Sequence, residues 1–153
     1  MTKPRFLVDA MLGKAARRMR ILGYDATYMA DADGDRVLRE ATSSGRTIIT
    51  ASAALYDRAQ KAGISIILAP AHPPDMTMRH IIRTSGISAK IDTDTARCAL
   101  CNGETMPVDT PPVSVKAGTM AHVKKFRRCK MCGRTYWKGS HIQNLQRERS
   151  RWI

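Results

Sequence analysis

All four cysteines of this 153-residue chain stand in two short pairs, and this feature constrains the fold most. The pairs read "CALC" at residues 98–101 and "CKMC" at residues 129–132. A C-x-x-C turn directs two thiolates at one ion, so two such turns supply the four sulfur ligands of a tetrahedral zinc site. A thioredoxin-like redox site is the alternative, but it needs only one pair in a βαβ setting. The pattern predicts a small zinc ribbon with a closed, structural zinc whose ligands are Cys98, Cys101, Cys129 and Cys132.

The part of the chain before the ribbon alternates short apolar runs with amphipathic segments. The runs at 5–9, 25–29, 46–50 and 64–69 predict strands, and the segments at 10–23, 35–45, 52–63 and 75–86 predict helices. Alternation at short intervals is typical of an α/β fold with a parallel sheet and helices on both faces. We therefore predict an α/β domain over 1–90, a ribbon over 91–142 and a basic tail over 143–153. The tail is either a short helix or a disordered arm.

Positive charge is concentrated at the C-terminal end of the chain. The formal net charge is +13; 12 of the 13 acidic residues precede residue 110, and 11 Lys and Arg residues follow residue 115. Such an excess indicates a polyanionic partner, most often nucleic acid. A merely solubilising surface is the alternative, but it does not require this concentration in one third of the chain.

Cations and aromatic residues alternate around the second cysteine pair. Cations contact phosphates, and aromatic faces stack on unpaired bases. Alternatively, Phe126 and Tyr136 form the small core of the ribbon. The predicted RNA-binding residues of the first helix and the ribbon are Lys14, Arg17, Arg18, Arg20, Lys124, Lys125, Arg127, Arg128, Lys130, Arg134 and Lys138.

Acidic residues follow three of the predicted strands. Asp9 ends the first strand; Asp31, Asp33 and Asp35 follow the second; and Asp75 follows the fourth. Ligands of open parallel sheets gather beyond the carboxyl ends of the strands, and converging carboxylates there would hold Mg²⁺ or Mn²⁺. Such an ion can polarise a phosphodiester and activate water. The three acids after the second strand can equally well cap a helix.

The chain contains no apolar run near the roughly 20 residues of a membrane span. The apolar stretch near its start is too short for a secretory signal and is interrupted by Asp9. We therefore expect a cytoplasmic protein without a membrane partner.

Several motifs together resemble one known family. The stretch "FLVDAMLGKAARRMRILGYD" at 6–25, with "RTIIT", "RCALCNG" and "CKMCGRTYWKGSH", closely resembles the Mut-seven carboxy-terminal family over residues 5–141. Its members are PIN-like domains followed by a zinc ribbon and are regarded as ribonucleases. The resemblance implies a PIN-type fold and metal-dependent cleavage of RNA. By position it implies Asp9 as the first metal-binding acid, Asp33 or Asp35 as the second, and Asp75 as a candidate for the fourth.

The sequence departs from the family after its third strand. The family usually has Thr-Arg-Asp there, whereas this chain has Thr50, Ala51 and Ser52. A serine hydroxyl can contact Mg²⁺ but brings no negative charge to retain it.

Two functional hypotheses follow from the resemblance and this departure. The chain is either a Mg²⁺- or Mn²⁺-dependent endoribonuclease or a catalytically degenerate protein that binds RNA or the ribosome. A DNA-binding ribbon protein is less well supported, because no helix shows a row of base-reading residues.

Overall fold

A four-stranded parallel sheet forms the centre of the larger part of the molecule. The computed structural model describes residues 2–109 and 115–153, so residues 110–114 of the predicted ribbon lie outside the described part. The strands are β1 (Arg5–Asp9), β2 (Asp25–Met29), β3 (Thr47–Thr50) and β4 (Ile66–Leu68), in the order β2-β1-β3-β4. All neighbours are parallel. The apolar residues of β1 are fully buried because β1 lies inside the sheet with a helix layer on each face.

Four helices cover the two faces of this sheet. They are α1 (Gly13–Ile21), which follows a 3₁₀ turn at Ala10–Leu12, α2 (Gly34–Ser44), α3 (Ala53–Lys61) and α4 (Pro74–Ser85). Alternate side chains of β1 point to opposite faces. Phe6 and Val8 lie in one apolar cluster with residues of α1 and α4, and Leu7 lies in a second with residues of α2 and α3. The predicted α/β class with helices on both faces is therefore confirmed.

The predicted helix over 10–23 differs from the structure at both ends. It begins as the 3₁₀ turn, and its α-helical part ends at Ile21. Gly23 then takes φ +87°, and a Cβ added there would lie 2.8 Å from the carbonyl oxygen of Thr95. Both the backbone angle and the close approach require glycine at this position.

The second sheet is the ribbon. Its strands β5 (Thr105–Val108), β6 (Phe126–Cys129) and β7 (Thr135–Trp137) are antiparallel in the order β5-β6-β7, and a short helix, α5 (Ala117–His122), lies between β5 and β6. Phe126 is buried and packs against Trp137 with ring centroids 6.0 Å apart. Phe126 therefore belongs to the core of the ribbon, as one of the two interpretations held.

The C-terminal tail is a helix that returns to the larger part of the molecule. Helix α6 spans Ser140–Arg149. Its residue Leu145 and, beyond the helix, Trp152 are buried in the same apolar cluster as α1 and α4. None of the helices in the described ranges has the length and apolar character needed to span a bilayer.

Candidate functional site

The two cysteine pairs converge on one point of the ribbon. The Sγ atoms of Cys98, Cys101, Cys129 and Cys132 all lie within 4.8 Å of one another. The Cys98–Cys132 and Cys101–Cys129 Sγ distances are 3.6 and 3.4 Å. A tetrahedral zinc with Zn–S bonds of about 2.3 Å spaces its sulfurs by about 3.8 Å, so the cluster fits a zinc-ribbon site. All four thiols are free of disulfides.

Local backbone geometry holds both C-x-x-C turns in shape. Asn102 and Gly133, each one residue after a pair, take φ +68° and +77°. The N–H groups of Met131 and Cys132 point at the sulfur of Cys129, at 3.4 and 3.5 Å. A Cβ at Gly103 would lie only 2.7 Å from that sulfur. Glycine at 103 therefore lets the first turn approach the second closely enough to share one ion.

Tyr136 is the polar neighbour of the cluster. Its hydroxyl lies 2.9 Å from Cys98 Sγ. Burial acts to raise the pKa of Cys98, but hydrogen bonds from Tyr136 and from the backbone of Cys101 and Leu100 outweigh it and lower the pKa to about 6. Burial and the neighbouring thiols raise the pKa of Cys101 to about 12. A thiolate therefore forms readily at Cys98, whereas ionisation of Cys101 is favoured only beside a cation.

The first cysteine turn is docked onto the edge of the parallel sheet. The side chain of Asn102 accepts a hydrogen bond from the N–H of Ala26 in β2 at 3.0 Å and donates one to Asp25 at 2.7 Å. Arg20 of α1 is buried and donates to the carbonyl oxygens of Ala26 and Ala99 at 2.8 and 2.9 Å. These bonds satisfy polar groups of β2 that an exposed edge strand would leave unpaired.

Asp9 lies at the carboxyl edge of the sheet, as predicted. Its two carboxylate oxygens accept hydrogen bonds from the N–H of Ala10 at 2.8 Å and from the hydroxyl of Thr50 at 2.7 Å. The N–H of Ser52 donates to the same Thr50 oxygen at 3.0 Å. Ser52 also caps α3, with its hydroxyl accepting from the N–H of Leu55 at 3.2 Å. Ser52 is therefore near Asp9, at the end of the adjacent strand.

The other predicted acids are engaged elsewhere. Asp33 caps α2 by accepting from the N–H of Arg36 at 2.8 Å, and Asp35 forms an ion pair with Arg58. Within the described ranges, the cysteines form the only group of three or more His, Cys, Asp or Glu side chains that could hold a metal ion. The structure therefore does not gather Asp9, Asp33, Asp35 and Asp75 around one point.

Asp75, in the first turn of α4, lies among donors from the C-terminal part of the chain. It accepts hydrogen bonds from the indole N–H of Trp152 at 3.1 Å and from Arg151 at 3.0 Å. The guanidinium of Arg18 lies 3.2 Å from the same carboxylate oxygen that accepts from Trp152. The Arg18 guanidinium also stacks 5.0 Å from the ring centroid of Trp152 and bonds Glu148 at 2.7 Å. Asp75 thus helps to anchor the chain terminus.

The predicted RNA-binding cations fall into two groups. Arg18 and Arg20 are buried in the contacts described above, and Arg127 donates to the backbone oxygen and the hydroxyl of Thr105, both at 3.0 Å. The guanidinium groups of these three residues are therefore engaged within the protein. The predicted cations that remain exposed are Lys14, Arg17, Lys124, Lys125, Arg128, Lys130, Arg134 and Lys138.

A comparison with protein families agrees with this architecture. The family model described as the Mut7-C RNAse domain matches residues 4–148, nearly the whole chain. The chain belongs to the Mut7-C RNAse domain family. Membership supports a ribonuclease-like, RNA-related function and matches the resemblance drawn from the motifs. No curated protein and no solved structure matches the chain.

Sequence reasoning on this Mut7-C RNAse domain missed its buried polar contacts. Arg18 is bonded to a residue 130 positions away, and Asp75 to one 77 positions away. Helical periodicity placed Arg18 and Arg20 off the apolar stripe of the first helix, which is the usual sign of exposure. The only sequence signal that the tail packs against the rest of the molecule was Trp152, a large apolar residue in an otherwise basic segment.

Proposed function

We propose that this Mut7-C RNAse domain binds RNA through the exposed cations of its ribbon and first helix. The observation that carries the proposal is the set of exposed Lys and Arg side chains on a chain of a ribonuclease-type family. Phosphate contacts by Lys and Arg release counterions and supply most sequence-independent affinity for nucleic acid. RNA, as a free transcript or in the ribosome, is the expected partner, and the cytoplasm the expected location.

Zinc held by the four cysteines has a structural part in this proposal. The sulfur spacing and the lowered pKa of Cys98 fit a thiolate-bound zinc ion. The ribbon sheet has three short strands and few buried apolar residues, so it cannot supply enough hydrophobic stabilisation by itself. Bound zinc would contribute about 10 kcal/mol or more to folding such a segment.

A second ion, Mg²⁺ or Mn²⁺, would have to bind at Asp9. Such an ion would polarise a phosphodiester and lower the pKa of a bound water. Asp9 is held in place by Ala10 and Thr50, but its neighbour Ser52 is uncharged, and Asp33 and Asp35 are bonded elsewhere. One carboxylate attracts a strongly hydrated ion weakly. We therefore infer that RNA cleavage by this protein is slow or absent. An active endoribonuclease is the competing candidate function.

The test of RNA binding is its salt dependence. Lys124, Lys125 and Arg128 are exposed on the ribbon, and replacing all three with Ala removes up to three phosphate contacts. The slope of log K against log salt should fall by about 2 for single-stranded RNA. An unchanged slope would place the binding surface away from this face. Wild-type protein that does not bind RNA at all would refute the proposal.

The test of cleavage compares the protein with Mn²⁺ and with EDTA, using Asp9→Asn as the control. Any cutting that survives in Asp9→Asn comes from a contaminant. Efficient Mn²⁺-dependent cutting that Asp9→Asn abolishes would favour the endoribonuclease over the degenerate RNA-binding protein.

A further inference from the structure

We propose that one continuous track guides single-stranded RNA from the ribbon, along α1, to the carboxyl edge of the parallel sheet. The inference rests on the proposed RNA-binding function and adds to it the path of the RNA and its single-stranded state. Three adjoining grooves form the track. We call them the ribbon groove, the interface groove and the edge groove, with volumes of about 320, 650 and 340 Å³.

The three grooves are contiguous because neighbouring grooves share lining residues. Tyr136 and His141 line both the ribbon groove and the interface groove. Lys14, Arg17 and Leu100 line both the interface groove and the edge groove. An RNA strand that leaves the ribbon groove therefore passes through the interface groove into the edge groove, without crossing another part of the surface.

The track ends at Tyr28, near the carboxyl end of β2. Tyr28 lines the edge groove, and its hydroxyl donates to the carbonyl oxygen of Ala10 at 2.5 Å. Ala10 directly follows Asp9, and Tyr28 stands beside Val8 in the register of β1 and β2. An RNA strand held in the edge groove would thus lie near the carboxyl ends of β1 and β2, one residue along the chain from Asp9.

The charges along the track favour a polyanion. Lys14 and Arg17 are exposed and lie three residues apart, on one face of α1. Arg134, which belongs to the ribbon, is exposed and also lines the interface groove. Among the described residues, none of these three cations is in an ion pair. Glu148, an acidic residue of this groove, is neutralised by Arg18 at 2.7 Å.

The size and lining of the grooves favour unpaired nucleotides. Each volume is that of a small-molecule site, which holds one or a few nucleotides but not a double helix. Trp137 lines the ribbon groove and is 37% exposed, and Tyr136 lies beside it. Exposed aromatic faces can stack on bases only where the bases are not already stacked in a duplex.

The experiment measures binding of fluorescent oligouridine by anisotropy. The test variants are Lys14→Glu with Arg17→Glu, and Arg134→Glu. The matched control is Arg39→Glu with Lys61→Glu, which makes the same charge change at exposed positions on α2 and α3. We expect the Lys14/Arg17 variant to bind at least about tenfold more weakly than the control, and Arg134→Glu to lose affinity in the same direction. A fully paired RNA of equal length should bind more weakly than the single strand to the wild type.

Each other outcome is decisive. If the wild type binds no RNA, both the proposed function and the track are wrong. If the wild type binds but the test variants match the control, only the track is wrong. Equal affinity for duplex and single strand would refute the single-stranded state.

If a test variant fails to fold, crosslinking of the wild type to 4-thiouridine RNA replaces it. Crosslinks at Tyr136 or Trp137 support the track, and crosslinks confined to α2 and α3 refute it.

Discussion

Ser52 both caps a helix and lies next to the candidate metal-binding residue Asp9. Its hydroxyl caps α3, and its position beside Thr50 places it next to Asp9. Serine and aspartate are both good N-cap residues. An acid could therefore occupy this position without loss of the cap, so the helix does not explain why serine stands here. Serine in place of an acid changes the electrostatics of the site, because the end of β3 then adds no negative charge to that of Asp9.

We expect Ser52→Asp to tighten Mn²⁺ binding. The substitution adds a second carboxylate beside Asp9 and keeps the cap of α3, so metal affinity should rise while the melting temperature changes little. The measurement is calorimetric titration of Mn²⁺ into wild type, Ser52→Asp and Asp9→Asn. An unchanged Mn²⁺ affinity in a folded Ser52→Asp protein would show that this side chain does not face the ion. Tight binding by the wild type would show that other groups complete the site.

At the level of elements, the ribbon is a unit built around the four-cysteine cluster and bound to the edge of the parallel sheet. Asn102 and Arg20 connect its first cysteine turn to β2, and the backbone N–H of Arg97 donates to the carbonyl oxygen of Arg20 at 2.8 Å. Most residues of the two apolar clusters come from the α/β part, although Leu145 and Trp152 of the tail join the larger one. Loss of the ribbon should therefore loosen the edge of the sheet without unfolding its centre.

We expect Cys129→Ser to lose zinc and to unfold the ribbon selectively. Structural zinc contributes about 10 kcal/mol or more, which the ribbon has no other means of replacing. Residues 98–141 should become sensitive to protease, and the α/β part should remain folded with a lower melting temperature. Met131→Ser is the matched control, since Met131 lies in the same turn and is 76% exposed. Metal analysis and limited proteolysis provide the readout; reduced wild-type protein without zinc would refute the prediction.

Across the whole molecule, the C-terminal residues bind the ribbon and the α/β part into one body. Trp152 is completely buried against α1 and α4, although it follows the ribbon in sequence. Its indole N–H is satisfied by Asp75, and the Arg18 guanidinium lies over its ring. Because the chain enters the ribbon from the α/β part and then returns to it, the ribbon is attached at both of its ends.

We expect acid to weaken this anchor through Asp75. Burial acts to raise the pKa of Asp75, but hydrogen bonds from Trp152 and Arg151 and the charge of Arg18 outweigh it and hold the pKa below its ordinary 3.8. A carboxyl group whose pKa is depressed by folding stabilises the fold above its ordinary pKa, and this contribution is lost as the pH falls through the folded value. Asp75→Asn should therefore be less stable than the wild type at neutral pH, and the difference should shrink below about pH 4.

The measurement is urea unfolding followed by tryptophan fluorescence. The chain has two tryptophans, so a Trp137→Phe background leaves Trp152 as the sole reporter. Asp57→Asn is the matched control, because Asp57 is exposed on α3. A difference between Asp75→Asn and wild type that is constant with pH would show that the Asp75 charge does not stabilise the anchor.

The sequence by itself determined the fold class and the place of the ribbon. Helix and strand periodicities are local, and the strands and helices of the α/β part lie within a few residues of where the periodicity places them. The cysteine spacing likewise predicted a cluster, because C-x-x-C turns bring their sulfurs together through local backbone geometry. The family motifs and the family match then agree on an RNA-related ribonuclease lineage.

Only the tertiary structure decided how the charged residues are used. Arg18 and Arg20 have the spacing of a solvated helix face, yet the returning tail and the first cysteine turn bury them. The family resemblance made Asp75 a candidate metal ligand, but Trp152 and two arginines surround it. Whether a charge meets solvent, an ion or an opposite charge depends on which distant segment packs over it. That packing reflects the whole core, which no local pattern records.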